Sequence, residues 1–187
     1  MAVHNTSSDA ANTAVRAFLT EIGSYYLKYS FNTGSGQSKK IWDKIKDDVF
    51  EGKCAYCGKA DIKLQIEHLI MFNREEYGLH HPGNVVPVCN LCNKRSKSIE
   101  KKFKSWEEHL SFICEINNEK EKFTKRLVRI KKHINEGEFK YPVLSPEENH
   151  ALRIITNNLY ESIKNEFTQA VNLFEDLTKA YSKKATQ

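Results

Sequence analysis

Cys54-Ala-Tyr-Cys57 and, after thirty-one intervening residues, Cys89-Asn-Leu-Cys92 are the segments on which the reading of this chain turns. Each is a tight turn that brings two thiols to one point. Two such turns supply four thiolates, the ligand set of a tetrahedral zinc site. One pair alone would fit a redox motif equally well. The second pair makes structural zinc the stronger reading. A site closed by four sulfurs leaves no position for water, so this metal is expected to hold the fold and not to react.

Outward from the cysteines, Ile62, Leu64 and Ile66 alternate with Lys63, Gln65 and Glu67, which predicts a strand. Asn73 to Asn84, with Gly78, Pro82 and Gly83, reads as a loop. Val85 to Val88 is a brief apolar segment broken by Pro87. Cys92 to Phe103 suits a helix with a basic outer side. Helical spacing governs both flanks. Asp9 to Tyr29 predicts a first helix capped by Asp9, and Lys39 to Phe50 a short second one. Trp106 to Ile116 and Lys120 to Asn135 predict two more. Ser145-Pro-Glu-Glu148 is a strong start for a last helix reaching about Lys183. Within it Ile163, Phe167, Ala170, Phe174, Leu177 and Tyr181 form a heptad-like stripe, read either as packing on the N-terminal helix or as a dimer seam.

The expected architecture is therefore α+β and mainly helical. It comprises an N-terminal helix and loop at 1–38, a zinc-bound core at 39–104 and a helical region at 105–187. Hydrophobic residues make up 40% and charged residues 28% of the 187, as in a soluble globular protein and unlike a disordered one. No apolar run approaches a membrane span. Met1 to Asn12 shows no secretory pattern. The expectation is a cytoplasmic protein with reduced thiols and no membrane partner. Cys114, the fifth cysteine, falls at core spacing and reads as a buried thiol.

Charge is concentrated. From Lys94 to His133 there are thirteen Lys or Arg against six Asp or Glu, whereas the whole chain carries only +5. Such a stretch suits a polyanion, and DNA is the expected partner. A solvated helix surface is the plainer reading of the same charges. The candidate contacts are Lys94, Arg95, Lys97, Lys101, Lys102 and Lys104 after the second cysteine pair, then Lys122, Arg126 and Arg129 on the later helix.

In combination, Cys54-Ala-Tyr-Cys57, Glu67-His68-Leu-Ile70, Pro82-Gly-Asn84-Val-Val-Pro and Cys89-Asn-Leu-Cys92-Asn93-Lys94 resemble the zinc-bearing branch of the HNH nucleases, whose site is a ββα-metal fold. The likeness spans about Ile41 to Lys104. It implies a ββα-metal core with His68 as general base and Glu67 and Asn93 as ligands of a catalytic Mg²⁺ or Mn²⁺. It also implies that Asn84 braces the loop behind His68. These roles suit phosphodiester hydrolysis, which needs a base near neutral pH and a hard cation on the phosphate. The products implied are a 5′ phosphate and a 3′ hydroxyl. His80 and His81 are further candidates near the site. Glu67 stands where the family usually has Asp, Met71 where it often has Pro, and Ser96 where a Lys is common. The common Gly-Gly of the loop is missing. A small helix-bearing protein of this kind resembles restriction or phage-defence effectors, with a homodimer or a defence-system partner protein supplying target choice. The reading from a different class is a zinc-stabilised nucleic-acid-binding module without catalysis.

Overall fold

The computed structural model describes residues 6–184, with side chains up to Ser182. Residues 1–5, part of the stretch read for a leader, lie outside it. The chain is α+β and mainly helical, with a single two-stranded antiparallel sheet among the described residues. The elements are α1 (Ser7–Leu27), α2 (Gly36–Lys44), β1 (Leu64–His68), β2 (Val85–Cys89), α3 (Trp106–Ile116), α4 (Phe123–Glu136) and α5 (Pro146–Lys184). No helix among them is long and apolar enough to cross a membrane.

The starts of these helices follow from local chemistry. At α1 the cap is Thr6 and not the expected Asp9. The Thr6 hydroxyl accepts from the Asp9 N–H at 3.2 Å, and the Asp9 carboxylate accepts from the Thr6 N–H at 2.9 Å. Asp9 is thus the third-residue partner of a reciprocal cap. Ser105 and Glu108 repeat the arrangement at α3, and Ser145 and Glu148 at α5. The second predicted helix is split: α2 ends at Lys44 and one wide turn, Ile45–Val49, carries the chain toward Cys54.

The chain forms two compact units. One runs from Leu19 to Val143. The other joins the N-terminal part of α1, up to Phe18, to the segment from Leu144 onward. The second unit buries Ala11 and Val15 of α1 and Leu152, Thr156 and Tyr160 of α5. The first unit holds the cysteines, the sheet, α3 and α4, so these two helices share one core with the cysteine region. That core is built on Phe31, Ile45, Phe50, Tyr56, Leu110 and Ile130, all 1% exposed or less.

In the sheet, His68 lies opposite Val85, Ile66 opposite Pro87 and Leu64 opposite Cys89. Pro87 has no N–H to give, yet its carbonyl accepts from Ala55 N–H at 2.8 Å, which ties the first cysteine turn to β2. The predicted helix from Cys92 to Phe103 does not form. The chain turns at 90–93 and then runs irregularly, with one isolated bridge between Lys97 and Phe103. One side-chain contact and one backbone turn account for this. Ser96 N–H goes to His109 Nδ1 at 3.2 Å instead of to a helical carbonyl, and Lys101 takes φ +63° in a turn closed by Ser98 and Lys102.

Candidate metal centre and active site

The four cysteine sulfurs lie within 4.8 Å of one another, and all four residues are buried. Cys57 Sγ and Cys89 Sγ are 3.8 Å apart, too far for a disulfide. A tetrahedron with Zn–S bonds of about 2.3 Å has edges of about 3.8 Å, so the donor set fits zinc in both chemistry and spacing. Cys54 is the sulfur that ionises most readily, because the Cys57 and Cys92 thiols donate to it. Cys57 is correspondingly pushed up.

The turns are shaped by their backbones. Gly58 sits at φ +71° with its N–H on Cys54 O at 2.8 Å. Cys92 and Asn93 N–H both go to Cys89 O at 3.0 Å. Each turn is then clamped by a basic side chain from a later helix. Arg126 of α4 donates from Nη2 to Cys57 O at 2.9 Å. His109 of α3 donates from Nε2 to Cys92 O at 3.0 Å, since its Nδ1 is the acceptor for Ser96 N–H.

Between the strands, the segment 69–84 is organised by Asn84, which is fully buried. Its Oδ1 accepts from Ile70 N–H at 2.8 Å, and its Nδ2 donates to Ile70 O and Leu79 O, both at 2.9 Å. One side chain thereby closes both ends of the segment. Gly78 is required here, because a Cβ would lie 2.0 Å from Ile70 O. His133 Nε2 donates to Pro82 O at 3.1 Å and Val85 O at 3.0 Å, and the Tyr141 hydroxyl accepts from Leu79 N–H at 3.0 Å.

His68 ends β1. Its ring stacks on Phe72 with centroids 4.8 Å apart, and its Nε2 lies 3.0 Å from His80 Nδ1. His80 Nε2 in turn lies 2.9 Å from Phe31 O. A carbonyl only accepts, so His80 carries its proton on Nε2 and offers a lone pair at Nδ1. His68 must then donate from Nε2, which puts its own lone pair on Nδ1. Burial lowers the His80 pKa and keeps that ring in the neutral form the relay needs.

Glu67 and Asn93 meet different partners. Side chains alternate along a strand, so Gln65 and Glu67 share the face of β1 opposite to that of His68. Asn93 Nδ2 donates to Gln65 Oε1 at 2.8 Å. Glu67 Oε1 accepts from Arg95 Nη2 at 2.6 Å and Nε at 3.2 Å. Arg95 also donates to His68 O at 2.7 Å and Leu69 O at 3.0 Å. Burial raises the Glu67 pKa even against the pull of Arg95. The candidate ligand atoms are the carboxylate oxygens of Glu67 and Asn93 Oδ1. They are of the hard kind that Mg²⁺ or Mn²⁺ takes. The Arg95 charge occupies the same pocket, however, and Glu67 meets the backbone of His68 and not its ring.

Compared with protein-family models, curated proteins and solved structures, the chain has no match.

The basic residues divide in two. Arg95, expected at a phosphate, is buried with its guanidinium committed inside the fold, so it is no surface contact. Arg126 likewise turns inward, to Cys57, Cys114 and Glu119. Lys122 pairs with Glu119, Arg129 with Glu51 at 2.8 Å and Lys102 with Glu100 at 3.4 Å. Lys97 and Lys104 lie over the rings of Phe103 and Phe112, while Lys94 and Lys101 are exposed. A cleft of about 320 Å³ opens beside the Cys54–Gly58 turn, lined by Lys53, Lys122, Lys125, Arg126 and Arg129 with Glu51.

Sequence reasoning missed the inward roles of Gln65, Arg95, His109, Arg126, His133 and Tyr141. For the two histidines a signal existed: His109 adjoins Leu110, and His133 lies between Ile130 and Ile134, so both belong to the apolar faces of their helices. For Arg95 no local signal exists, because its partners come from a strand twenty-eight residues away in sequence.

Proposed function

We propose that this chain is a metal-dependent endonuclease of the HNH type that hydrolyses phosphodiester bonds in double-stranded DNA, with His68 as general base. The observation that carries the reading is the His68–His80–Phe31 relay at the end of β1, in the unit that holds the four-cysteine cage. A neutral imidazole whose Nε2 proton is committed to a neighbour has its basic lone pair on Nδ1, the form a base needs. In the reaction, Nδ1 takes a proton from water as the water oxygen bonds to phosphorus. The bond from phosphorus to the 3′ oxygen breaks, and that oxygen leaves as a hydroxyl after taking a proton. A bound Mg²⁺ or Mn²⁺ would supply positive charge at the phosphate and the leaving oxygen. The carboxylate oxygens of Glu67 and Asn93 Oδ1 are the atoms of this chain suited to hold it. Asn84 positions the segment that carries His80. The cleft beside the first cysteine turn supports a DNA partner, with Lys122, Lys125 and Arg129 toward phosphates. Restriction or phage defence is the setting we assign.

A second reading has its own support. The pairing of Glu67 with Arg95, on the face of β1 away from His68, suits a zinc-stabilised module that binds nucleic acid and does not cut it. Plasmid nicking separates the two. Wild-type protein with Mg²⁺ or Mn²⁺ is expected to nick, and His68→Ala to lose at least a hundredfold of the rate, in line with the loss of a general base, about 10²–10⁴-fold. Equal nicking by both proteins removes His68 as the base, and none by either while DNA is still bound gives the case to the second reading.

A further inference from the structure

Among the described residues, α5 extends far beyond the part of it that is buried. Leu152, Thr156 and Tyr160 are buried, but every position from Asn165 to Ser182 is exposed. A helix in that situation is expected to be polar all round. Instead Phe167, Val171, Leu173, Phe174, Leu177 and Tyr181 stand between 36% and 71% exposed. Their order is regular. Counted from Tyr160 and Ile163, the residues Phe167, Ala170, Phe174, Leu177 and Tyr181 alternate four and three apart, which makes them the a and d positions of three successive heptads. Val171 and Leu173 widen the stripe at e and g. A single helix of this length with its apolar face in water is marginal, since packing of that face supplies most helix stability.

We infer that this face is covered by the same face of a second copy of the chain, in a two-stranded helical seam. Three observations favour a second copy as the occupant. The stripe repeats with the heptad period, so an identical stripe can interdigitate with it about a twofold axis. The flanks do not oppose the approach. Between residues 164 and 180 the only charged e or g positions are Lys164 and Glu166, of opposite sign, while Glu175, Asp176 and Lys179 fall at b, c and f. The area is sufficient. With about 150–250 Å² for a fully exposed aromatic side chain, the six side chains expose on the order of 600 Å² per copy, so two copies reach the roughly 1,200 Å² at which stable interfaces begin. Ala170, small and set between two phenylalanines, leaves a recess for a knob of the opposing helix. The seam does not depend on the nuclease reading. If that reading holds, the dimer carries two His68 sites.

Sedimentation equilibrium of the full chain across micromolar concentrations tests the inference. Wild-type protein is expected at twice the chain mass of 21.6 kDa. Phe174→Glu combined with Leu177→Glu is expected at the single-chain mass, with its zinc content unchanged. Because both side chains are exposed, the double variant is expected to fold; circular dichroism should show the rest of the helix content retained. Glu175→Lys, on the outer face, should leave the dimer intact. A wild type that stays monomeric, or a dimer indifferent to the double substitution, overturns the seam. So does a stripe that associates only with lipid vesicles or only in species larger than a dimer.

Discussion

Two clusters of potential metal ligands lie a few residues apart, and they are built differently. The sulfur cluster is gathered at one point. Four thiols converge within 4.8 Å, with Arg126 and His109 clamping the carbonyls of Cys57 and Cys92. The oxygen and nitrogen cluster of Glu67, His68 and Asn93 is divided by the strand that carries it. Glu67 and Asn93 face Arg95 and Gln65, and His68 faces His80. The difference teaches that adjacency in sequence means opposite things in a turn and in a strand. In a Cys-x-x-Cys turn it gathers two side chains to one point. In β1 it sends neighbours to opposite faces.

Removing the sulfur cluster should have the largest effect. Zinc binding by such sites supplies about 10–16 kcal/mol of apparent free energy, as much as or more than the 5–15 kcal/mol of a whole domain. Cys57→Ser, or chelation of the metal, is expected to abolish cooperative unfolding of the unit from Leu19 to Val143. Metal analysis should find one zinc per wild-type chain. A zinc-free preparation that melts like the wild type would erase the contrast between the two clusters.

Next in size is Arg95→Met. It strands the Glu67 carboxylate in a buried site, which costs about 3–5 kcal/mol. Urea unfolding measures it, and Glu67→Gln added to Arg95→Met should recover part of the loss. Had Arg95 been a surface contact to phosphate, its removal would shift stability by about 0.5 kcal/mol or less and weaken DNA binding instead.

Asn84→Ala should cost about 2–4 kcal/mol, because it orphans one buried N–H and two carbonyls. It should also slow any cleavage, since the segment carrying His80 loses its brace. Unchanged stability would mean that His133 and Tyr141 hold the segment without it.

The smallest effect is one of pH. Burial lowers the pKa of His80 and His133, and pushes His81 down to about 4. Protonating His81 at Nδ1 would break its bond from Gly83 N–H. The unfolded chain binds protons below a pH of about 6.5 and the folded chain resists them, so stability is full above that pH and declines as pH falls toward 4. His81 alone should account for about 1 kcal/mol by about pH 5.5. Unfolding free energies with zinc kept bound should fall less steeply in His81→Asn than in the wild type.

Much of the fold was legible locally. Caps, heptad spacing and the cysteine turns depend on residues three or four apart, so Ser105, Ser145 and the two Cys pairs announce themselves. The segment after Cys92 shows the limit. Its composition suits a helix, but Arg95 is drawn into the fold by Glu67 and Ser96 by His109, and neither partner is near in sequence. At the candidate site, the brace role of Asn84 came from the resemblance, and its bonds to Ile70 and Leu79 fall within the segment it closes. The alternation of β1 was legible as well, and it implied that Glu67 and His68 point apart.

From residue identity and spacing alone come the four thiols of the metal cage, an α+β chain that is mainly helical, and a last helix carrying an apolar stripe. These follow from covalent proximity, since a turn or a helix brings fixed neighbours together whatever surrounds it. Only tertiary structure decided what each polar side chain does once it is there. It took Arg95 from the surface to Glu67, set the proton of His68 on Nε2 through His80, and left the described residues of the distal half of α5 exposed. Such outcomes depend on which distant groups share a buried space, where an unpaired charge or hydrogen-bonding group is too costly to leave alone.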